Sequence, residues 1–168
     1  AGDAIQLYGD AFDPLWPPSL IEDYFGLLDR AGRLRAELDL IRARLRADPG
    51  DLKAAAWTFH YYARQRNIAA AQAALNDFRL HKETGPAAWT ALELHPLARL
   101  FHSTANYNEA ARYYYAGYSL PHTGNTAADD ANSEQALAGL IHLLLAAPEQ
   151  PLAFGAGDLS LYQDIAVM

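Results

Sequence analysis

Six histidines and several adjacent carboxylates are the residues of this 168-residue chain whose types could carry proton-transfer or metal chemistry. His95 and His102 are seven apart and could share a helix face, but Pro96 stands between them. No carboxylate lies at a metalloprotease spacing from either. His60 follows Trp57 by three residues and precedes Arg64 by four, which places all three on one face of a helix and suits a binding surface better than proton transfer. His142, inside GLIHLLL, reads as a partly buried, satisfied histidine. The pairs Glu22-Asp23 and Asp129-Asp130 fall at expected helix starts, where negative charge complements the helix dipole. The sequence has no GxSxG elbow, no phosphate loop and no dinucleotide fingerprint. With no cysteine there is no thiolate ligand, nucleophile or disulfide in this chain. Neither a catalytic residue nor a metal or cofactor is therefore expected.

Leu120-Pro121-His122-Thr123-Gly124 has the form of the LPxTG signal that sortases cleave. Such a signal needs an apolar segment and a basic tail after it, whereas an acidic stretch without Lys or Arg follows here, so the pentapeptide reads as an inter-helix turn. A hydrophobic content of 51% is enough for a sizeable core, and no apolar run reaches the length of a membrane span. The net charge of −7 argues against a nucleic-acid partner. That charge is unevenly spread: −6 over residues 1–29, +5 over 30–112, and −6 over 113–168. The chain opens at Ala1 and its one methionine is Met168, so it reads as a piece of a longer protein with no visible targeting segment.

Turn-forming clusters at Trp16-Pro17-Pro18, Asp48-Pro49-Gly50, Gly85-Pro86 and Pro121 onward separate helical patterns. Ser19 and Glu22 have capping-box spacing, as do Thr126 and Asp129. In 33–47, Leu34, Leu38, Ile41 and Leu45 form an apolar stripe, and Asp39 lies within reach of Arg35 and Arg42. Residues 51–81 are rich in alanine, which favours helix and close approach. Tyr113-Tyr114-Tyr115 keeps a helical period and is assigned to helix. Leu137, Leu140, Ile141, Leu144 and Leu145 predict an apolar stripe in a later helix, and Asp158–Met168 reads as the start of another. Positions recur at intervals of 34 and 39 residues: Ile21, Ala55 and Leu94; Leu28, Tyr62 and Phe101; Ile41, Leu75 and Tyr114. Such a period marks stacked two-helix units, none of which can bury its apolar faces alone.

The segments YYARQRNIAAAQAAL (61–75) and FHSTANYNEAARYYYAGYSLP (101–121) resemble the tetratricopeptide repeat family. Tyr62, Ala71 and Leu75 match its pattern in the first; Phe101, Tyr107, Ala110, Tyr114 and Pro121 match it in the second. The unit from Ile21 to Pro49 is a weaker match, with Gly32 at the turn and Glu37 where the family has a small residue. Phe25 and Phe59 occupy places the family gives to glycine or alanine, which leaves open splayed hairpins or a phase shifted by one residue. Pro96 predicts a kink or break between Leu94 and Leu97, and the extra residues Lys82–Pro86 are expected to lengthen the helix after them.

The resemblance implies an all-α fold, a right-handed α-solenoid of antiparallel helix hairpins. Residues 1–17 would be a lead-in segment, 18–121 three hairpins, and 122–168 a further hairpin or capping helices, cut short. It also implies a non-enzymatic protein–protein interaction module. The first helices would line a concave groove presenting Lys53, Trp57, His60 and Arg64 from the second unit and His95, Arg99 and His102 from the third. Glu22 and Asp23 would come from the first. A cationic groove with a tryptophan suits an acidic or aromatic peptide, and further repeats of a longer chain could stack on its ends. The family's carboxylate-clamp members use asparagines where this chain has His60 and Arg99, so that specificity does not carry over. The alternative is a helical accessory domain packed against the catalytic part of a larger enzyme.

Overall fold

Short turns of one repeated geometry set the architecture. The computed structural model describes residues 2–86, 88–121 and 125–146. All regular structure among them is helical: α1 (Gly2–Ala11), α2 (Pro18–Arg30), α3 (Leu34–Ala47), α4 (Leu52–Arg64), α5 (Ile68–Thr84), α6 (Ala91–Ser103), α7 (Tyr107–Tyr118) and α8 (Thr126–Ala146). The starts of α2, α4 and α6 differ by 34 and then 39 residues, and so do their ends. The starts of α3, α5 and α7 keep the same intervals, so the three helix pairs share one register with each other.

The turns explain that register. Gly32, Arg66 and Ala105 follow α2, α4 and α6 with φ of 65°, 58° and 57°. Their N–H groups donate to the carbonyls of Asp29, Ala63 and His102, while those of Arg33, Asn67 and Asn106 donate to Leu28, Tyr62 and Phe101 at 2.9, 3.0 and 3.0 Å. This is the Schellman pattern, in which one left-handed residue lets two donors satisfy the last helical carbonyls. The residue that closes each turn also precedes the next helix. Asn67 accepts from the Ala70 N–H at 3.1 Å, so one residue ends α4 and caps α5.

Other helix ends depart from expectation. Pro17 precedes α2 and no side chain caps it, so Ser19 lies within the first turn rather than at the cap. Proline at the first helical position needs no donor and presets φ, which makes a serine cap dispensable. A capping box does occur at α6: the Thr90 N–H and hydroxyl donate to the Glu93 carboxylate at 3.0 and 2.9 Å. Asp51 caps α4 through the Ala54 N–H and also receives Arg44 from α3 at 2.6 Å. α6 continues unbroken through Pro96. The ring removes the donor to the Leu92 carbonyl and crowds it, and Leu92 is 84% exposed, so water can take the donor's place. The extra residues around Lys82 lengthen the helix before them, α5, to 17 residues, and α6 keeps the 13 of α2 and α4. The expected lead-in contains a helix, α1, which packs on α2. The side chain of Thr126, residues His122–Gly124 and the predicted helix from Asp158 lie outside the described residues.

The chain divides into two compact units, Ala1–Ala88 and Trp89–Met168. In the first, α4 packs on α3 and α5, and Ala54, Ala55 and Ala56 are fully buried where alanine permits close contact. Phe25 and Phe59 are both buried there. α1 joins through aromatic rings: Tyr8 stacks on Tyr24 at 6.1 Å, and Phe12 meets Trp16 and Tyr24. Asp39 pairs with Arg35 and Arg42 at 3.6 and 4.0 Å. In the second unit α7 packs on α6 and α8. Gly139 is required there, because a Cβ would run into the Tyr114 ring. Of the predicted α8 stripe only Leu140 is fully buried; Ala136 and Leu143 complete the inner face, and Ile141 and Leu145 are exposed. Positions 136, 140 and 143 follow the four-then-three spacing of one face, which the longer apolar run obscures.

An added Cβ at Gly32 meets nothing within 4 Å, so only its φ resists substitution. Arg66→Gly and Ala105→Gly should each raise the unfolding free energy by about 0.5–1 kcal/mol, the left-handed cost less the entropy glycine adds to the unfolded chain. Gly32→Ala should lower it by a similar amount, as urea unfolding will measure.

Candidate interaction surface

The residues expected to line a groove divide into exposed charges and buried rings. In the first unit Lys53 is exposed at the start of α4. Trp57 is 1% exposed, tilted against Phe25 at 4.9 Å and stacked on Tyr61 at 5.7 Å. It is therefore a packing residue and is not presented to a partner, because α2 brings Phe25 onto the face it occupies. Its N–H stands close enough to the Tyr24 hydroxyl to act toward lowering that group's pKa, without a hydrogen bond of good geometry. Burial, with the Glu37 charge second, nonetheless pushes Tyr24 up to about 12.

His60 is also turned inward, edge-on to Phe12 at 6.4 Å and Phe59 at 5.2 Å, and its Nε2 has no partner. Burial lowers its pKa to about 4, so the ring is neutral near pH 7. Arg64 keeps its charge near the surface but is engaged by α2, with Glu22 at 3.3 Å and Asp29 at 3.6 Å. Both carboxylates are well exposed, so these pairs contribute little stability. They do bring the polar sides of α2 and α4 together.

In the second unit His95 is 5% exposed, and neither ring nitrogen has a partner. It lies against Gly117, where an added Cβ would sit 3.0 Å from its Cε1, and burial lowers its pKa. His95 is thus a core residue too. His102 is half-buried, edge-on to Tyr107 at 5.8 Å, its pKa lowered by burial and then by His142. His142 itself is exposed, contrary to the sequence reading. Arg99 is exposed and its charge reaches Tyr114. No group of three or more His, Asp or Glu among the described residues could hold a metal ion. No described helix is long and apolar enough to cross a membrane.

Compared with protein-family models, curated proteins and solved structures, the chain matches none. Its functional reading therefore rests on its own geometry.

Three concavities accompany these residues. One of about 480 Å³ is mostly apolar, walled by Leu45 of α3, Thr58 and Tyr62 of α4, and Ala70, Ala74 and Phe78 of α5. Another, about 360 Å³, lies in the second unit beside Trp89, Thr90, Leu120, Pro121 and Ser133. The third, about 230 Å³, is bounded by Asp10, Phe12, Tyr24, Glu37, Lys53 and Trp57. Of these six, the sequence reading selected only Lys53 and Trp57 for a site. A signal for Glu37 was present: its counterparts Ala71, 34 residues onward, and Ala110, a further 39 onward, are both fully buried. A carboxylate replacing a buried alanine marks a place where the repeat was altered.

His60 should make stability depend on acid. Its folded pKa lies below the ordinary 6.5, so the unfolded chain takes up the proton first. The contribution is complete above pH 6.5 and is lost toward pH 4, amounting to about 3 kcal/mol. His60→Phe keeps the ring contacts and should flatten the decline between pH 6.5 and 5 in denaturant-unfolding measurements.

Proposed function

We propose that this chain is a non-enzymatic protein-interaction module. In this reading its helix pairs are antiparallel hairpins of a right-handed, tetratricopeptide-like solenoid, and its first helices contact an acidic peptide or protein segment. The observation that carries the reading is the repeated turn: Gly32, Arg66 and Ala105 adopt one left-handed conformation at intervals matching those of the helix boundaries. Repeats held in such register present equivalent faces again and again, the arrangement by which helical repeats bind extended segments.

With Trp57, His60 and His95 turned inward, the contact falls to charge. Lys53 and Arg64 in the first unit and Arg99 and His102 in the second remain at or near the surface. Arg64 already holds Glu22 and Asp29, so a carboxylate ligand there exchanges one charge-assisted bond for another. Arg99 has no such competitor among the described residues. The expected complex is therefore electrostatically steered and weakened by salt.

The test is fluorescence anisotropy of a labelled peptide of alternating aspartate and phenylalanine on the full chain. Arg99→Glu and Arg64→Gln together should weaken binding about tenfold or more. Affinity unchanged in that double variant, or no binding at low salt, would remove the groove from the account.

A further inference from the structure

The cavity enclosed by α1, α2, α3 and α4 holds more unmatched chemistry than packing requires. At its rim the exposed Asp10 and the half-buried Glu37 bring two carboxylates and the exposed Lys53 one ammonium, and among the described residues none of the three forms an ion pair. Arg44, also at its edge, is engaged by Asp51 at 2.6 Å and does not neutralise them. Opposite charges that share a cavity and fail to meet leave a gap that a ligand with both charges can bridge. Trp57 adds a second observation. Its side chain is 1% exposed and borders the cavity, and its N–H, close to the Tyr24 hydroxyl, makes no hydrogen bond of good geometry. A buried donor left unmade is costly, and such groups in folded proteins normally find an acceptor.

The walls narrow the ligand further. Phe12, Tyr24 and Trp57 supply aromatic surface that accommodates an ammonium group or a short aliphatic chain. Tyr24 stays protonated at neutral pH and can donate to a carboxylate. The volume of about 230 Å³ equals seven or eight water molecules at ~30 Å³ each, which fits a small amino acid and excludes a folded peptide. Glu37 stands where the other two units place a fully buried alanine, so the polarity is confined to this unit of the repeat.

We infer that this cavity is a binding site for a small zwitterion, a free amino acid. Its ammonium group lies between Asp10 and Glu37, and its carboxylate faces Lys53 and the Trp57 N–H. The site shares Lys53 with the proposed peptide-binding face but does not use Arg64, Arg99 or His102, so substitutions at those three distinguish the two.

The experiment titrates the full chain with individual free L-amino acids at millimolar concentration, followed by tryptophan fluorescence and calorimetry. The N-acetyl derivative and methyl ester of the best binder serve as controls. Saturable binding of one or more free amino acids is expected, weakened about tenfold or more in both controls, each of which removes one charge. Glu37→Gln and Lys53→Gln should weaken it similarly without changing the midpoint of thermal unfolding of the empty protein by more than a few degrees. Trp57→Phe, which keeps the ring and deletes the N–H, should also weaken it. Arg99→Glu should leave it unchanged, which separates this site from the peptide-binding reading. Absence of binding by every free amino acid would overturn the inference. So would equal binding of the N-acetyl or ester form, or full affinity retained in both charge variants.

Discussion

The α2, α4 and α6 helices, 13 residues each, cannot bury their apolar faces alone, and what lets each do so is a reversal completed within three residues. The reversal depends on a carbonyl: Leu28, Tyr62 or Phe101 accepts the N–H five residues on, across a residue held at positive φ. Glycine does this without strain at 32, whereas Arg66 and Ala105 adopt the same conformation at a local cost that the packed helices hold in place. Once the turn is fixed, Leu28 and Phe101 are fully buried, and Ala71 and Ala110 sit where the next helix approaches closely.

That constraint decides which side chains can meet a partner. An indole or imidazole on a first helix looks like a binding group until a neighbouring helix covers it. Trp57 is covered by Phe25, His60 by Phe12 just after α1, and His95 by α7 at Gly117. Each ring keeps a nitrogen without a hydrogen bond of good geometry, which costs stability. The long charged side chains behave differently, because they can carry their heads to water whatever their stems touch. Lys53 and Arg99 are therefore the parts of the expected surface that keep that role in the proposed function.

Periodicity made much of the fold legible. The intervals of 34 and 39 residues predicted helix starts that the structure repeats, and Asp39 finds both arginines assigned to it. α1 escaped notice because ten residues with two glycines and three aspartates or glutamines carry little helical signal, and its inner face is short, with Ile5 and Tyr8 leading to Phe12 just beyond its end. The break read at Pro96 does not occur, because α6 runs through it and the lost donor belongs to the turn at Leu92, an exposed residue. The inward rotation of Trp57 was illegible for another reason: a helix face becomes interior through helices distant in sequence. Glu37 was noticed only as a departure from the repeat, and its place beside Tyr24 and Trp57 became meaningful once α1 closed the cavity.

The repeated left-handed turn is the claim on which fold and function both depend. Backbone torsions of Arg66 and Ala105, obtained from nuclear magnetic resonance chemical shifts and couplings of the full chain, test it most directly. The account predicts positive φ at both residues, with helices that stop at Arg64 and Ser103 and resume at Ile68 and Tyr107. Right-handed φ at either residue, with one continuous helix running through it, would contradict the account.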